Sequence, residues 1–353
     1  MARIGFDGLM ISPNGKGHAR SERHAVEALA ARGEHEIVVF MREPVAFDGV
    51  EVVEVKPHLT IDWELRGMPA AAKRHQLDVF VTLSERLPFA GSLPIVVWLF
   101  ESPVHRIRSN RRSKAPLWHR SSDMLTAALW KRSLHRAAHV AFGSEATQVE
   151  VTAQLSLGST SVVHPGVPPD FFPSRGIRES FVLHLGSGDP RDNTGAAVDA
   201  CRRAEARLVV VGGWAGDGAE ALGRVSDAEL RDLYRRASVF LDPTLYEGFG
   251  YGVLEAMACG APIVASNTTS VPEVVGDAGL LCDPRDLEGL GTAVRRVLDE
   301  PDLAEGLRTR GYARAATFTW DRTAEGLTAA IEAAVVKSRS ATSPWIEGRS
   351  SQR

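Results

Sequence analysis

Two glutamates and three glycines lie close together in the segment Glu247-Gly-Phe-Gly-Tyr-Gly-Val-Leu-Glu255. Glycines let a backbone approach a ligand closely, and the helix predicted to begin here offers unpaired N–H groups and a favourable dipole to an anion. This combination suits a diphosphate. A buried carboxylate at Glu255, about two turns into the helix, would accept paired hydroxyl groups of a sugar. The plainer alternative is a tight loop followed by a solvated glutamate.

The elements that must position these residues follow a regular pattern. Short β-rich runs alternate with longer helical stretches, which is typical of a doubly wound parallel sheet. The alternation occurs twice, before and after the proline-bearing stretch 165–173, so two similarly built halves are predicted. We expect domains at 1–170 and 171–322 and a disordered tail, partly vector-derived, at 337–353. Strands are predicted at 3–6, 36–40, 79–83, 95–100, 139–142, 181–185, 207–211, 239–241, 262–265 and 280–282.

Length and composition exclude several classes of protein. The chain has 353 residues, enough for about two domains, and its 44% hydrophobic and 24% charged residues are ordinary for a globular protein. Its 41 basic and 44 acidic residues give a net charge of −3, which argues against a globally basic nucleic-acid binder. Three scattered cysteines suit a reducing cytosol, and no apolar run approaches the roughly 20 residues that span a bilayer. We therefore expect a cytoplasmic protein without a nucleic-acid partner.

The stretch from Asp242 to Pro262, followed by Ser266-Asn-Thr-Thr-Ser-Val-Pro-Glu-Val-Val275, resembles the signature of the family 4 glycosyltransferases. Members of that family are retaining enzymes of the GT-B fold, in which two Rossmann-like domains face each other across a cleft. The resemblance implies an α/β protein of this architecture, with an acceptor-binding first domain and a second domain that binds a nucleotide sugar. It also implies that a helix near 323–336 crosses back to the first domain.

The resemblance assigns roles to residues of the second domain. It implies that Glu255 holds the ribose hydroxyls of the nucleotide and that Glu247, as a catalytic residue, faces the donor sugar near its C3 hydroxyl. Other candidates would contact the diphosphate, the donor sugar or the nucleobase chiefly through their backbone: Phe249, Gly250, Tyr251, Gly252, Arg224 and Val225. A plain surface charge is the alternative for Arg224.

The loop Leu185-Gly-Ser-Gly-Asp-Pro-Arg-Asp-Asn193 departs from the family's pattern. Relatives carry an Arg and a Lys here that neutralise the departing diphosphate. Arg191 is kept as a catalytic candidate, but Asp192 stands where Lys is usual. Since stabilising the leaving group is commonly the largest catalytic contribution, either Asp192 points away or another cation, Lys16 or Arg20, takes part. Alternatively, Arg191 simply pairs with Asp189 or Asp192.

The first domain offers weaker signals. The stretch 12–20 resembles the family's glycine loop, in which Gly15 and Gly17 would let the backbone reach the donor phosphates and Lys16 would add a cation. Segment 106–120 holds six Lys or Arg and no acid. It suits an acidic acceptor, a weak attachment to an anionic membrane, which we do not favour, or a solvated loop. Glu101 and Ser102 stand where many relatives carry a His, so acceptor chemistry transfers less readily.

These features predict a retaining, metal-independent glycosyltransferase. It would move a sugar from a nucleotide diphosphate, UDP by family frequency, to a hydroxyl of a small-molecule or oligosaccharide acceptor. No D-x-D motif or cluster with metal-ligand spacing occurs, so we expect no metal and no cofactor besides the nucleotide sugar. The Ala-, Arg- and Gly-rich usage suits a high-GC genome and natural-product pathways such as antibiotic biosynthesis. The alternatives are a non-catalytic sugar-nucleotide-binding protein, which Asp192 favours, and a GT-B epimerase.

Overall fold

The structure is a computed structural model that describes residues 1–12, 18–87, 93–102, 104–105, 126, 128–173, 178–214 and 216–341. The described residues form two parallel sheets, one of seven strands and one of six. The strands of the first sheet are β1 (Arg3–Asp7), β2 (Glu36–Met41), β3 (Glu51–Glu54), β4 (Val79–Thr82), β5 (Ile95–Leu99), β6 (His139–Phe142) and β7 (Thr160–Val162). Those of the second are β8 (Glu179–Leu185), β9 (Leu208–Val211), β10 (Glu220–Gly223), β11 (Ala237–Asp242), β12 (Ile263–Ser266) and β13 (Gly279–Cys282).

Helices connect and cover these strands. A three-residue helical turn (Thr60–Asp62) and a π-helical turn (Trp63–Gly67) precede the second helix, and a 3-10 turn (Pro190–Asp192) follows β8. The described helices include α1 (His18–Arg32), α2 (Met68–Arg74), α3 (Glu145–Thr152), α4 (Thr194–Ala204), α5 (Asp227–Arg236), α6 (Tyr251–Ala258), α7 (Val271–Val275), α8 (Leu287–Asp299), α9 (Pro301–Ala315) and α10 (Trp320–Ala341). None of the described helices is long and apolar enough to cross a membrane.

The central strands are apolar because helices cover both of their faces. Every residue of β4, Val-Phe-Val-Thr, and of β9, Leu-Val-Val-Val, is buried. Such runs without alternation are typical of parallel sheets inside α/β domains. The strand orders are β3-β2-β1-β4-β5-β6-β7 and β10-β9-β8-β11-β12-β13. Each sheet therefore reverses its winding direction once, between β1 and β4 and between β8 and β11. At such points a crevice opens at the carboxyl ends of the strands, and ligands bind there in doubly wound proteins.

The last helix packs on the first sheet although it follows the second along the chain. Helix α10 lies against α1 and against β4 to β7. Thr323 Oγ1 donates a hydrogen bond to His164 O over 2.7 Å, and a Cβ on Gly326 would meet the side chain of Val163 at 3.0 Å. The helix expected near 323–336 thus begins earlier and continues to Ala341, so 337–341 are helical rather than disordered. Residues 342–353 of the predicted tail, and the basic segment 106–120, lie outside the described residues.

Candidate functional site

Two loops of the second sheet meet at its carboxyl edge, in the crevice between β8 and β11. The loop after β8 carries Arg191, and the loop after β11 leads through Glu247 into α6. Leu245 N donates to Arg191 O over 2.8 Å, and Thr244 Oγ1 donates to the same oxygen over 3.0 Å. Stretches about fifty residues apart in the sequence therefore form one surface, because their strands are neighbours.

Glu255 is buried inside this surface. It lies in α6, and its side chain is 3% exposed. Its Oε1 accepts a hydrogen bond from Arg20, and its Oε2 accepts one from Tyr234 OH over 3.3 Å. Burial raises the pKa of this carboxyl to about 7, and the charge of Arg20 limits the rise. Glu255 is therefore an enclosed hydrogen-bond acceptor and not a solvated glutamate.

Arg20 reaches Glu255 from the first domain. It lies in the first turn of α1, and its Nη1 also lies 3.0 Å from Asp227 Oδ2 at the start of α5. Its guanidinium stands over the ring of Phe171, 4.9 Å from the ring centroid. The sequence suggested Arg20 as a cation for the diphosphate, whereas the structure engages it with two carboxylates. The other candidate cation, Lys16, lies with Gly15 and Gly17 outside the described residues.

Arg191 is paired from both sides of the cleft. Its Nε and Nη2 donate to Asp189 Oδ2 over 3.0 and 2.9 Å, and its Nη1 donates to Glu101 Oε2 over 2.7 Å. Burial opposes the charge, but the bonds to Asp189 and Glu101 outweigh it and raise the pKa of Arg191. The pairing with Asp189 was the alternative weighed from the sequence. The pairing with Glu101, which follows β5 in the first domain, was not predicted.

Asp192 turns its carboxylate towards its own loop. Its Oδ2 accepts hydrogen bonds from Ser187 N and Ser187 Oγ, each over 2.6 Å. Burial raises the pKa of Asp192, while the two bonds from Ser187 favour the ionised form. Its carboxylate thus closes the loop, and its charge still acts on Glu247 and Asp242.

Asp242 and Glu247 add acidic groups to the same crevice. Asp242 ends β11, and burial together with the charges of Glu247 and Asp192 raises its pKa to about 8. Burial also raises the pKa of Glu247, with Arg191 acting in the opposite direction and Glu101 adding to the rise. The sequence analysis did not single out Asp242 as a site residue. An acid at the carboxyl end of a buried strand, beside a reversal of winding, is the signal that identifies it.

Replacing Asp242 by asparagine is expected to remove a pH-dependent cost of folding. The folded protein keeps this carboxyl protonated up to about pH 8, whereas its ordinary pKa is 3.8. The contribution of Asp242 to the free energy of unfolding is therefore complete below pH 4 and falls by up to about 1.4 kcal/mol per unit as the pH rises to 8. Asparagine does not titrate. Asp242→Asn should thus be more stable than wild type at pH 8 by about 2 kcal/mol or more, with the gain shrinking towards pH 5.

Urea unfolding between pH 5 and 8.5 measures this difference. Asp217→Asn is the matched control, since Asp217 is exposed to solvent. A pH slope equal in Asp242→Asn and Asp217→Asn would contradict the raised pKa.

Tyr246, the residue before Glu247, fastens the loop to the first domain. Its hydroxyl donates to Glu150 Oε2 over 3.1 Å and accepts from Ser102 N over 3.1 Å. The ring of His105 stacks on the ring of Tyr246, with 3.8 Å between centroids and 9° between planes. The position of Glu247 therefore depends on the first domain.

Gly248, the residue after Glu247, is fastened in the same way. Its carbonyl accepts from Ser144 Oγ over 2.7 Å and from Thr147 Oγ1 over 3.2 Å. A Cβ at Gly248 would lie 2.2 Å from Phe100 O, so no side chain fits without moving the backbone. This glycine thus permits close approach between domains, a role that the sequence analysis did not assign.

Glu273 makes a further bridge between the domains. Its carboxylate accepts from the backbone N–H groups of Glu145 and Ala146, over 2.8 and 3.2 Å, at the amino end of α3. It also lies 2.6 Å from His164 Nε2. An anion at a helix amino terminus is favoured by the unpaired N–H groups and the dipole.

The remaining predicted donor-binding residues are placed as follows. Gly250 precedes α6 with φ of 101°, a conformation that favours glycine. Phe249 is buried, and its ring lies 5.2 Å from that of Tyr251. A Cβ on Gly252 would meet Leu185 Cδ1 at 3.0 Å, so this glycine also allows α6 to pack on β8. Arg224 is exposed and Val225 half-buried, just beyond the edge strand β10. The strands that lead to these residues and to Arg191, β10 and β8, are separated by β9, so their axes lie about 10 Å apart in the sheet.

Among the described residues, no group of three or more His, Cys, Asp or Glu side chains is arranged to hold a metal ion. The described cations of the cleft include Arg191 and Arg20, and both are paired with carboxylates.

Residues 182–300, which contain Arg191, Glu247 and Glu255, match the family model described as glycosyl transferases group 1. This segment of the second domain is therefore similar to the group 1 glycosyl transferases. The chain is 30% identical over 248 residues to O-antigen chain mannosyltransferase B of Escherichia coli, covering 63% of this chain and 65% of that protein.

Another curated relative is similar to a shorter part of the chain. The chain is 40% identical over 117 residues to MMP alpha-(1->4)-mannosyltransferase of Mycolicibacterium hassiacum, covering 32% of this chain and 28% of that protein. The matches span less than two thirds of the length of these curated relatives.

Solved structures share the whole architecture. WaaG, a glycosyltransferase involved in lipopolysaccharide biosynthesis, superposes with a TM-score of 0.71 at 18% identity, covering 93% of this chain and 99% of that one. The sucrose-phosphate synthase of Thermosynechococcus elongatus gives 0.73 at 19% identity, covering 93% and 98%. Anabaena Alr3699/HepE, solved in complex with UDP and glucose, gives 0.70 at 16% identity, covering 94% and 100%. The two parallel-sheet, Rossmann-like domains have the GT-B fold, which confirms the predicted fold class.

Proposed function

We propose that this protein is a retaining, metal-independent glycosyltransferase that transfers a sugar from a UDP-sugar to a hydroxyl group of a small molecule or oligosaccharide. The observation that carries the proposal is the grouping of Arg191, Glu247 and the enclosed Glu255 at the crevice of a domain similar to the group 1 glycosyl transferases, facing the first domain. Each of the three is a residue type that a nucleotide sugar requires, namely a cation for phosphate and two acceptors for hydroxyls.

The proposed donor lies along the crevice with its ribose at Glu255 and its sugar at Glu247. Glu255 accepts hydrogen bonds from the ribose hydroxyls, and Arg191 faces the diphosphate between them. Two named proteins support this choice of donor. HepE was solved with UDP and glucose, and the Escherichia coli relative is named a mannosyltransferase, so a hexose on a nucleoside diphosphate is the donor class to test first.

The proposed reaction breaks the bond between the anomeric carbon and the diphosphate oxygen. The acceptor hydroxyl oxygen attacks the same face of the anomeric carbon that the diphosphate leaves, so the configuration is retained. The acceptor proton passes to the leaving phosphate oxygen, and UDP carries the bonding electron pair away. Arg191 stabilises the charge that develops on the diphosphate, a contribution that is commonly the largest in such reactions.

The acceptor is proposed to enter from the first domain. Glu101 and Ser102 stand at the carboxyl end of β5 opposite Arg191 and Tyr246, and they border the space beside the donor sugar. The chain is rich in Ala, Arg and Gly, which suits a high-GC genome and natural-product pathways. For this reason we further propose that the acceptor is an intermediate in the assembly of a natural product such as an antibiotic.

Turnover assays without and with EDTA test this function. We expect the protein to release UDP slowly from a UDP-hexose in the absence of acceptor and faster when an acceptor hydroxyl is supplied. The rate of UDP release should be unchanged when EDTA is added. A fall in this rate beyond about twofold in EDTA would argue for a metal. Assays with GDP- and dTDP-sugars in parallel identify the base. If all three nucleotide sugars bind and none is turned over, the proposed glycosyltransferase activity is contradicted and a sugar-nucleotide-binding protein is favoured.

A further inference from the structure

Among the described residues of the first domain, Arg20 is the one that bonds to the buried carboxylate of Glu255. The guanidinium bonds to Glu255 with Nη2 and to Asp227 with Nη1, and the Arg20 side chain is 14% exposed. It projects from the first turn of α1, whereas both carboxylates belong to helices of the second domain. The stacking of its guanidinium over Phe171 leaves it little freedom to take another direction.

Among the described residues, Arg20 is the one cation that acts on Glu255. The charged and titratable groups that face it from α1, from α5 and from its own helix α6 are Arg20, Asp227, Tyr234, Tyr251 and Cys259. Of these, Asp227 carries the same charge as Glu255 and disfavours its ionised form. A buried carboxylate beside a second carboxylate takes up a proton unless a cation compensates for it.

We propose that Arg20 is a positioning residue for the nucleotide, which holds the Glu255 carboxylate in place and ionised so that it accepts the ribose hydroxyls. This inference rests on the proposed function. A carboxylate has about four lone-pair positions, so Glu255 accepts from Arg20 and Tyr234 and still has acceptor capacity for a ribose. Since Arg20 and Glu255 belong to different domains, nucleotide affinity then depends on the contact between the domains.

The domain contact itself does not depend on Arg20. Tyr246, Gly248 and Glu273 bridge the domains through separate hydrogen bonds. A variant at Arg20 is therefore expected to fold with its domains in place, and its effect on nucleotide binding reports on Glu255.

The test compares UDP affinity by calorimetry between pH 6 and 8.5 in wild type and variants. Glu255→Gln supplies the baseline at each pH, because it lacks the titrating carboxyl while UDP's own protonation is unchanged. Relative to that baseline, wild-type affinity should rise with pH as Glu255 ionises. In Arg20→Met this rise should move to higher pH, with an affinity loss of about 10-fold or more at pH 7. Arg20→Lys, which keeps the charge, should restore most of it.

The variant Asp227→Asn is expected to shift the pH dependence of UDP affinity in the opposite direction. It removes the like charge and keeps Arg20, so the rise should move to lower pH. The Ser226 and Glu229 capping box that begins α5 stays intact in this variant. A merely structural role of Arg20 does not predict opposite pH shifts in the two variants.

Arg23→Met is the matched control, since Arg23 lies on the same helix and pairs with Glu27 at the surface. Arg20→Met and Asp227→Asn profiles that coincide with that of Arg23→Met would overturn the role of Arg20. If Arg20→Met does not fold, the Asp227→Asn profile decides in the same way. Glu255→Gln binding UDP as tightly as wild type would instead show that the ribose assignment of the proposed function is wrong.

Discussion

Replacing Glu247 by glutamine is expected to lower kcat by about 10²- to 10³-fold, the range found when one preorganised electrostatic contact to a transition state is removed. The reason is the position of this carboxylate. It lies in the crevice with Arg191 acting on it, and its loop is held by Tyr246 and Gly248 on either side. Glutamine keeps the size of the side chain and removes only its charge.

The affinity for UDP should change by less than about threefold in Glu247→Gln, because the proposed contact is to the donor sugar and not to the nucleotide. Steady-state turnover and calorimetric titration of UDP separate the two effects. Glu332→Gln, at an exposed position on α10, is the control for a generic loss of one glutamate charge. If the kcat of Glu247→Gln lies within about fivefold of the kcat of Glu332→Gln, Glu247 is not a catalytic residue.

Replacing Glu255 by glutamine is expected to weaken UDP binding by about 10- to 100-fold, the equivalent of losing a hydrogen bond to a charged group. Glu255 is enclosed, so a ribose bound to it is shielded from competing water. Glutamine also leaves Arg20 with Asp227 as its remaining charged partner. We therefore expect a lower unfolding temperature together with the lower affinity.

A comparison of ligands distinguishes these two effects. If Glu255 contacts the ribose, wild type should prefer UDP to 2′-deoxy-UDP, and Glu255→Gln should lose that preference. Its losses for UMP and UDP should be equal, because the phosphates contact other residues. A preference for UDP that survives the substitution would show that another group binds the 2′-hydroxyl.

Local sequence pattern was sufficient for the buried strands and for the edge strand β13, which contains the apolar run Leu-Leu-Cys, but it missed the other three edge strands. The ten predicted strands all occur, at β1, β2, β4, β5, β6, β8, β9, β11, β12 and β13. The three that were not predicted are β3 (Glu-Val-Val-Glu), β7 (Thr-Ser-Val) and β10 (Glu-Ala-Leu-Gly), and each is an edge strand of its sheet. These three strands are short and partly solvated, so they lack the continuous apolar run that marks a buried strand.

The candidate site shows the same division between local and distant information. The glycine-rich segment and its two glutamates are evident from types and spacing alone, because they belong to one strand–loop–helix unit. The charged residues that surround these two glutamates in the folded protein are not evident from the local sequence. Arg20 contacts Glu255 across 235 residues of sequence, and Arg191 contacts Glu101 across 90. Neither pair follows any periodic pattern, because each joins elements of different domains.

The sequence by itself determined the two α/β halves, the segment that carries Glu247 and Glu255, and the loop with Arg191 and Asp192. Only the tertiary structure decided which charges face each other. Packing the domains together places Arg20 against Glu255 and Glu101 against Arg191, and the fold of the second domain buries Asp242 where the charge of Glu247 acts on it. Burial makes each of those placements matter, since a carboxylate removed from water is ionised or neutral according to the charge beside it.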